Sequence, residues 1–224
     1  CRQAVATIPE HRKAVDQRPE IVERWRIWRE EKASRLVDDR GEGIGAAAIF
    51  AALTRQCPDD AIIAVDVGNN TYSFGRYFET SGQRVLMSGY LGSIGFSFPA
   101  AMGAWAATQD HAAFAGRKVV SISGDGGFGQ YAMELTTAVK YGMDITHILL
   151  NNAQLGKITK EQRAGDFAVW QTDLQNPSFS AYARLCGAHG SRVTDPAKLD
   201  EAIETAIDVD GPALVEIVAD MELI

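Results

Sequence analysis

The chain has 224 residues, 46% of them hydrophobic and 23% charged, with a formal net charge of −7. This is an ordinary globular composition, with room for one large domain or a domain plus an appendage. The acidic balance argues against a nucleic-acid surface, which needs clustered Lys and Arg, and no apolar run reaches the ~20 residues needed to span a bilayer. No secretory signal opens the chain, and Cys1-Arg2-Gln3 supplies no initiator Met, so further sequence is expected upstream. Cys1, Cys57 and Cys186 form no C-x-x-C pair, and His11, His111, His147 and His189 show no metal-ligand spacing. Incidental thiols in a reducing compartment are expected, without a zinc or disulfide framework.

Residues 1–40 are rich in Arg, Glu and Lys, and Arg18-Pro19 can open a helix with Pro in its first turn. Ile21, Val22, Trp25 and Trp28 then recur at helical spacing. The polar face mixes acids and bases, which fits a helical linker better than a membrane-surface helix. From Gly41 to Ile224 the pattern alternates. Apolar β-type runs at 61–67, 118–123, 145–150 and 213–219 read as buried strands. Helical stretches lie at 45–57, 99–107, 129–141 and 196–207, the last with Leu199, Ala202, Ile203 and Ala206 on one face. Strand–helix–strand repetition implies an α/β fold: a doubly wound, mostly parallel sheet with helices on both faces.

Such sheets bind ligands at the carboxyl ends of their strands, so the residues just past each run carry the functional argument. The first run ends in Val67-Gly68-Asn69-Asn70, the second in Gly124-Asp125-Gly126-Gly127-Phe128-Gly129, and the third in Asn151-Asn152-Ala153-Gln154. Any one of these turns could simply end a strand; three on consecutive strands favour a ligand site. The middle turn also matches the dinucleotide fingerprint G-x-G-x-x-G, with Asp144 twenty residues after Gly124. Asp144, however, precedes the next strand, whereas a ribose-binding acid should close it. A carboxylate inside a phosphate-binding turn also calls for an intervening cation. Asp125 and Asn152 can each give Mg²⁺ one oxygen, the glycines allow close backbone approach to phosphate, and a helix beginning near Gly127 adds partial positive charge.

Gly124-Asp125-Gly126, followed after twenty-four residues (127–150) by Asn151-Asn152, resembles the signature of the thiamine-diphosphate-dependent enzymes. The likeness runs from about Gly41 to the end and corresponds to that family's C-terminal cofactor-binding domain. It is nearest to pyruvate oxidase and quinone-dependent pyruvate dehydrogenase, and more distant from acetolactate synthase. The resemblance implies Mg²⁺ held by Asp125, Asn152 and the Gln154 carbonyl, and a diphosphate contacted by Gly68, Asn69, Asn70, Gly124, Gly126 and Gly127. It places Gly92, Ser93 and Ile94 against the aminopyrimidine, with the Ile94 side chain wedged between the cofactor's rings, and Leu155 and Gly156 beside the cofactor. Glu161 aligns with an acid of the pyruvate oxidases where acetolactate synthases carry Trp, and is expected to border the substrate. Lys157 departs from the apolar or aromatic residue usual in the family.

The implied activity is decarboxylation of a 2-oxo acid, pyruvate foremost, with a carboligase of the acetolactate synthase type or a non-catalytic dinucleotide-binding module as alternatives. In the family the cofactor's own 4′-imino group removes its C2 proton, tuned by a glutamate on a pyrimidine-binding domain, usually of a neighbouring subunit. No such domain fits within these residues. A homodimer or homotetramer is therefore expected, FAD is an expected further cofactor of the full-length oxidase, and the chain alone is expected to be inert. The expected location is the cytoplasm, with peripheral attachment to the inner face of the membrane left open.

Overall fold

The computed structural model describes residues 15–223. The boundary between two compact units falls between Ser34 and Arg35. Helix α1, Arg18–Arg35, belongs to the first unit in all but its last residue. Its surface is laced by Arg24–Glu20 and Arg26–Glu23 pairs, and the rings of Trp25 and Trp28 meet edge to face at 5.2 Å. Pairs at this spacing each add a few tenths of a kcal/mol to a helix, so the charged sequence favours the helix locally.

The second unit follows the order α2 (Ala46–Gln56), β1 (Ile62–Val65), α3 (Asn69–Tyr77), β2 (Arg84–Met87), α4 (Ser97–Asp110), β3 (Val119–Gly124), α5 (Asp125–Tyr131), α6 (Glu134–Lys140), β4 (Ile145–Asn151), α7 (Gly156–Ala164), α8 (Phe179–Leu185), β5 (His189–Val193), a 3₁₀ turn (Pro196–Lys198), α9 (Leu199–Ile207) and β6 (Ala213–Val218). The six strands form one parallel sheet in the order β2-β1-β3-β4-β6-β5. Strand residues alternate between two apolar layers. Ile63, Val65, Ile122, Ile148 and Ile217 pack beneath α2, α3 and α9, whereas Ile62, Ala64, Val119, Ile145 and Leu149 pack beneath α4, α5, α6 and α8. The expected doubly wound sheet is the one observed.

Local differences have physical causes. The single helix expected over 129–141 is two, α5 and α6, because the chain is helical already from Asp125 and breaks at Ala132-Met133. The stretch 196–207 opens as a 3₁₀ turn, where the Asp195 side chain accepts from the Ala197 N–H at 2.9 Å before α9 continues. Strands β2 and β5, absent from the expected set, lie at the two sheet edges. Edge strands are paired on one side only, so they need less of the apolar run that marks a buried strand.

The connection from β1 through α3 to β2 runs toward one edge, and the chain then crosses back through α4 to β3 on the other side of β1. Winding therefore reverses between β1 and β3, and a crevice opens at their carboxyl ends, where such sheets receive ligands.

Candidate functional site

A cavity of about 370 Å³ fills this crevice, within the range of small-ligand sites. Its walls include the turn after β1 (Gly68, Asn69, Asn70), the turn after β3 (Gly124, Asp125, Gly126, Gly127) and the turn after β4 (Asn152, Gln154, Leu155, Gly156). Gly92 and Ile94 add a further wall. Every cofactor-contact residue expected from sequence is thus brought to one cavity except Ser93, which is exposed nearby with its N–H on the Ser88 hydroxyl at 3.1 Å. Lys157 and Ile158, from the segment expected to border the substrate, also line the cavity, as do Ala46, Ser73 and Asp220, which the sequence did not single out as cavity residues.

The turn after β1 is built around Asp66. Its buried carboxylate accepts from the backbone N–H of Val67 at 2.7 Å, Gly95 at 2.9 Å and Phe96 at 3.1 Å. Burial raises its pKa above the ordinary carboxylate value, and those three backbone donors oppose the rise. Asp66 thereby ties the Gly92–Gly95 loop to the end of β1. The Asp66 carbonyl accepts from Asn70 Nδ2 at 2.8 Å and from the Thr71 hydroxyl, which turns the chain into α3. Gly68 makes this turn at φ 129°, a conformation open to glycine and strained for other residues. Asn70 is thus occupied in the turn, whereas Asn69 Nδ2 and the Ser73 hydroxyl are buried without partners at the cavity wall. Buried donors of this kind call for a ligand acceptor.

The turn after β3 is compressed. A Cβ on Gly127 would stand 2.2 Å from Asp66 Oδ2, and one on Gly126 would stand 2.7 Å from the Leu155 side chain. At Gly127 the neighbour is the hydrogen-bonded Asp66 carboxylate, so glycine keeps the floor clear there, whereas at Gly126 the flexible Leu155 side chain would have to move. Asp125 opens α5, and its carboxylate accepts from the Gly126 N–H on Oδ1 at 2.9 Å and from the Ala153 N–H on Oδ2 at 2.7 Å. Asn176 Nδ2 also donates to Oδ2, at 2.7 Å. Burial pushes the Asp125 pKa up, against the pull of these hydrogen bonds. A desolvated carboxylate at a helix start is well suited to a cation.

The turn after β4 places Ala153 at φ 54°, the left-handed region, which costs a non-glycine residue on the order of 1–2 kcal/mol. The strain is held at both ends: Ala153 N–H binds Asp125, and its carbonyl accepts from the Leu174 N–H at 2.8 Å. Asn152 Oδ1 accepts from the Gln154 N–H at 3.1 Å, and Gln154 bridges to Asp173. Among the described residues no group of three or more His, Cys, Asp or Glu side chains converges. The oxygens on offer at the ends of β3 and β4 are the Asp125 carboxylate, the Asn152 carboxamide and backbone carbonyls, a set that suits Mg²⁺ sharing its shell with phosphate and water. Asp220, after β6, adds a second carboxylate to the cavity wall.

One expectation is placed differently, and two residues to which the sequence gave no site role lie away from the cavity wall. Glu161 lies outside the cavity wall, on the exposed side of α7, paired with Lys157 at 2.9 Å; Lys157 itself lines the cavity, with its ammonium 5.3 Å from the Tyr72 ring centre. Asp144, set aside as a ribose acid because it precedes its strand, does sit before β4 and pairs with Lys118 before β3, at the opposite end of the sheet from the cavity. His147, given no role, is fully buried against Phe98 and Phe128. Asp66, Asn151, Asn176 and Glu216 were not singled out from sequence as side chains acting at the site. Glu216, a charged residue within an apolar strand, was a readable signal; Asn176, in an irregular stretch, gave none.

Fold and site together define a parallel α/β cofactor-binding domain with its pocket at the point where winding reverses. Residues 66–217 match the family described as "Thiamine pyrophosphate enzyme, C-terminal TPP binding domain", and the chain belongs to that family. The putative thiamine pyrophosphate-containing protein YdaP of Bacillus subtilis is 35% identical over 75% of this chain and 29% of its own length. The chloroplastic acetolactate synthase of Arabidopsis thaliana is 34% identical over 80% of this chain and 27% of its own. Among solved structures, the thiamine diphosphate-dependent 4-hydroxybenzoylformate decarboxylase of Rhodococcus jostii superposes with a TM-score of 0.73 at 26% identity, over 82% of this chain and 34% of that one. The chain spans about a third or less of the length of these relatives.

Proposed function

We propose that this chain is the diphosphate- and Mg²⁺-holding part of an enzyme that decarboxylates a 2-oxo acid, with pyruvate as the favoured substrate. The observation that carries this reading is the meeting of Asp125 and Asn152 in one cavity with Gly126 and Gly127, where a Cβ would press on the side chains of Leu155 and Asp66. Asp125, Asn152 and the Gln154 carbonyl are the proposed metal ligands. Asn69 Nδ2, Gly68 and the start of α5 offer donors to phosphate oxygens. Gly92 and Ile94, fastened through Asp66, are the proposed seat of the aminopyrimidine. Bound there, thiamine diphosphate supplies the carbanion-stabilising chemistry by which a 2-oxo acid loses CO₂. The chain's own part is to bind, orient and neutralise charge. The activating glutamate is assigned to a pyrimidine-binding domain outside residues 1–224, supplied by the same protein or by a neighbouring subunit of a homodimer or homotetramer.

Two fates of the decarboxylated unit are distinguished. Oxidation through FAD follows from the alignment of Glu161, although Glu161 stands outside the cavity wall. Transfer to a second 2-oxo acid is favoured by several relatives being named acetolactate synthases. The test supplies the full-length protein with pyruvate and Mg²⁺ and follows CO₂, acetolactate and flavin absorbance. CO₂ release that requires thiamine diphosphate supports the reading, and the second product selects between the fates. No CO₂ from pyruvate or from bulkier 2-oxo acids would refute it.

A further inference from the structure

Behind the cavity floor, a line of polar side chains runs from Asp125 to the middle of β6. Asn176 Nδ2 donates to Asp125 Oδ2 at 2.7 Å and to Asn151 Oδ1 at 2.9 Å. Asn151 Nδ2 in turn donates to Glu216 Oε1 at 2.9 Å. Glu216 is fully buried, and it also accepts from Arg192 Nη1 at 2.8 Å on Oε1 and from the Ser180 N–H at 2.9 Å on Oε2. Neither Asn151, Asn176 nor Glu216 lines the cavity described above.

The line has a direction. A carboxylate can only accept, whereas a carboxamide has one donating and one accepting end. Glu216 therefore forces Asn151 to present its NH₂ toward β6 and its oxygen toward Asn176. That oxygen forces Asn176 to turn its NH₂ inward, where its two N–H groups reach Asn151 and Asp125. Asp125 Oδ2 then carries two donors, Asn176 and the Ala153 N–H, while Oδ1 carries one, the Gly126 N–H. Each carboxylate oxygen accepts about two bonds. Oδ2 is full, and Oδ1 keeps one acceptor position.

We infer that Glu216, Asn151 and Asn176 form a positioning relay that orients the Asp125 carboxylate so that it meets a cation through Oδ1 alone. The inference rests on the reading of Asp125 as a metal ligand. It separates two roles that a buried network can have. A network that only braces β4, β6 and the start of α8 contributes to stability. A relay sets the affinity for metal in protein that is already folded.

Glu216→Gln nearly conserves shape but breaks the direction. If its amide oxygen serves the Ser180 N–H, its NH₂ faces the donors of Asn151 and Arg192; if reversed, its NH₂ faces Ser180. The experiment uses the full chain with thiamine diphosphate and Mn²⁺ in place of Mg²⁺. Free Mn²⁺ is counted by electron paramagnetic resonance, and thermal unfolding of the same samples is recorded without metal. Glu216→Gln and Asn176→Ala should each weaken Mn²⁺ binding by roughly 10–100-fold in folded protein, the range for outer partners of metal ligands. The double variant should be no weaker than the weaker single, because both break the same line. Wild-type affinity in the folded single variants overturns the relay, as do single effects that multiply in the double variant. Should Glu216→Gln not fold, Asn176→Ala alone decides by the same criterion. A wild-type chain that takes up no Mn²⁺ overturns both the relay and the metal site, whereas tight wild-type binding with unaffected variants overturns the relay only.

Discussion

Gly127→Ala and Gly129→Ala add the same methyl group to the same short helix, two residues apart, and should act in opposite directions. At Gly129 a Cβ meets nothing within 4 Å, so replacing a helical glycine should stabilise by about 0.5–1 kcal/mol. At Gly127 the new Cβ would stand 2.2 Å from Asp66 Oδ2 and 3.0 Å from its Cγ, so one side must move. If Asp66 yields, it gives up hydrogen bonds to Gly95 and Phe96, worth about 1.5–3 kcal/mol each as bonds to a charged group. If α5 yields, the cost is that of overpacking, about 1–3 kcal/mol, and Asp125 moves with it. The cheaper route sets the outcome: a net loss of about 1–3 kcal/mol, or a fall in Tm of about 2–12 °C for a domain of this size. Either route displaces a part of the site, the Ile94 loop or Asp125, so affinity for thiamine diphosphate should fall with stability. Urea and thermal unfolding of both variants, followed by calorimetry with the cofactor, provide the comparison. Equal stability and equal cofactor affinity in the two variants would refute the close-packed floor.

Two further outcomes are expected. Burial drives the His147 pKa from 6.5 down to about 3, so between those values the unfolded chain takes up a proton that the folded chain refuses. The stability contributed by neutral His147 is therefore full above about pH 6.5 and is lost as pH falls toward 3, at up to about 1.4 kcal/mol per pH unit. Urea midpoints of wild type should accordingly fall faster over that window than those of His147→Gln; parallel curves would contradict the assignment. The chain alone should not accelerate exchange of the cofactor's C2 proton into deuterated water, followed by NMR, because the acids lining its cavity are Asp125 and Asp220, both at the ends of central strands. Strong acceleration would place the activating acid within residues 1–224.

What the sequence revealed follows from where its information is local. The β1, β3, β4 and β6 runs are central and apolar, and the turns that end them carry Gly, Asn and Asp in sequence order, so the sheet and most of the cavity wall were readable. β2, with its Arg84-Val85-Leu86-Met87 sequence, and β5, with His189-Gly190-Ser191-Arg192-Val193, lie at the edges and lack a buried strand's pattern. Asp66 was absorbed into an apolar run that ends two residues earlier than expected, at Val65, and its partners Gly95 and Phe96 lie about thirty residues away. Asn176 reaches Asp125 across 51 residues from a stretch with no regular structure. Contacts of that kind arise from the fold, and periodicity or motif spacing does not carry them.

The central claim is that Asp125 holds a metal which in turn holds a diphosphate. Its most direct test is calorimetric titration of the chain with thiamine diphosphate, in Mg²⁺ and in a chelator, for wild type and Asp125→Ala. Wild type should bind only with Mg²⁺, and Asp125→Ala should lose on the order of a hundredfold or more in affinity, the equivalent of about 3 kcal/mol. Binding that is indifferent to Mg²⁺, or undiminished in Asp125→Ala, would contradict it.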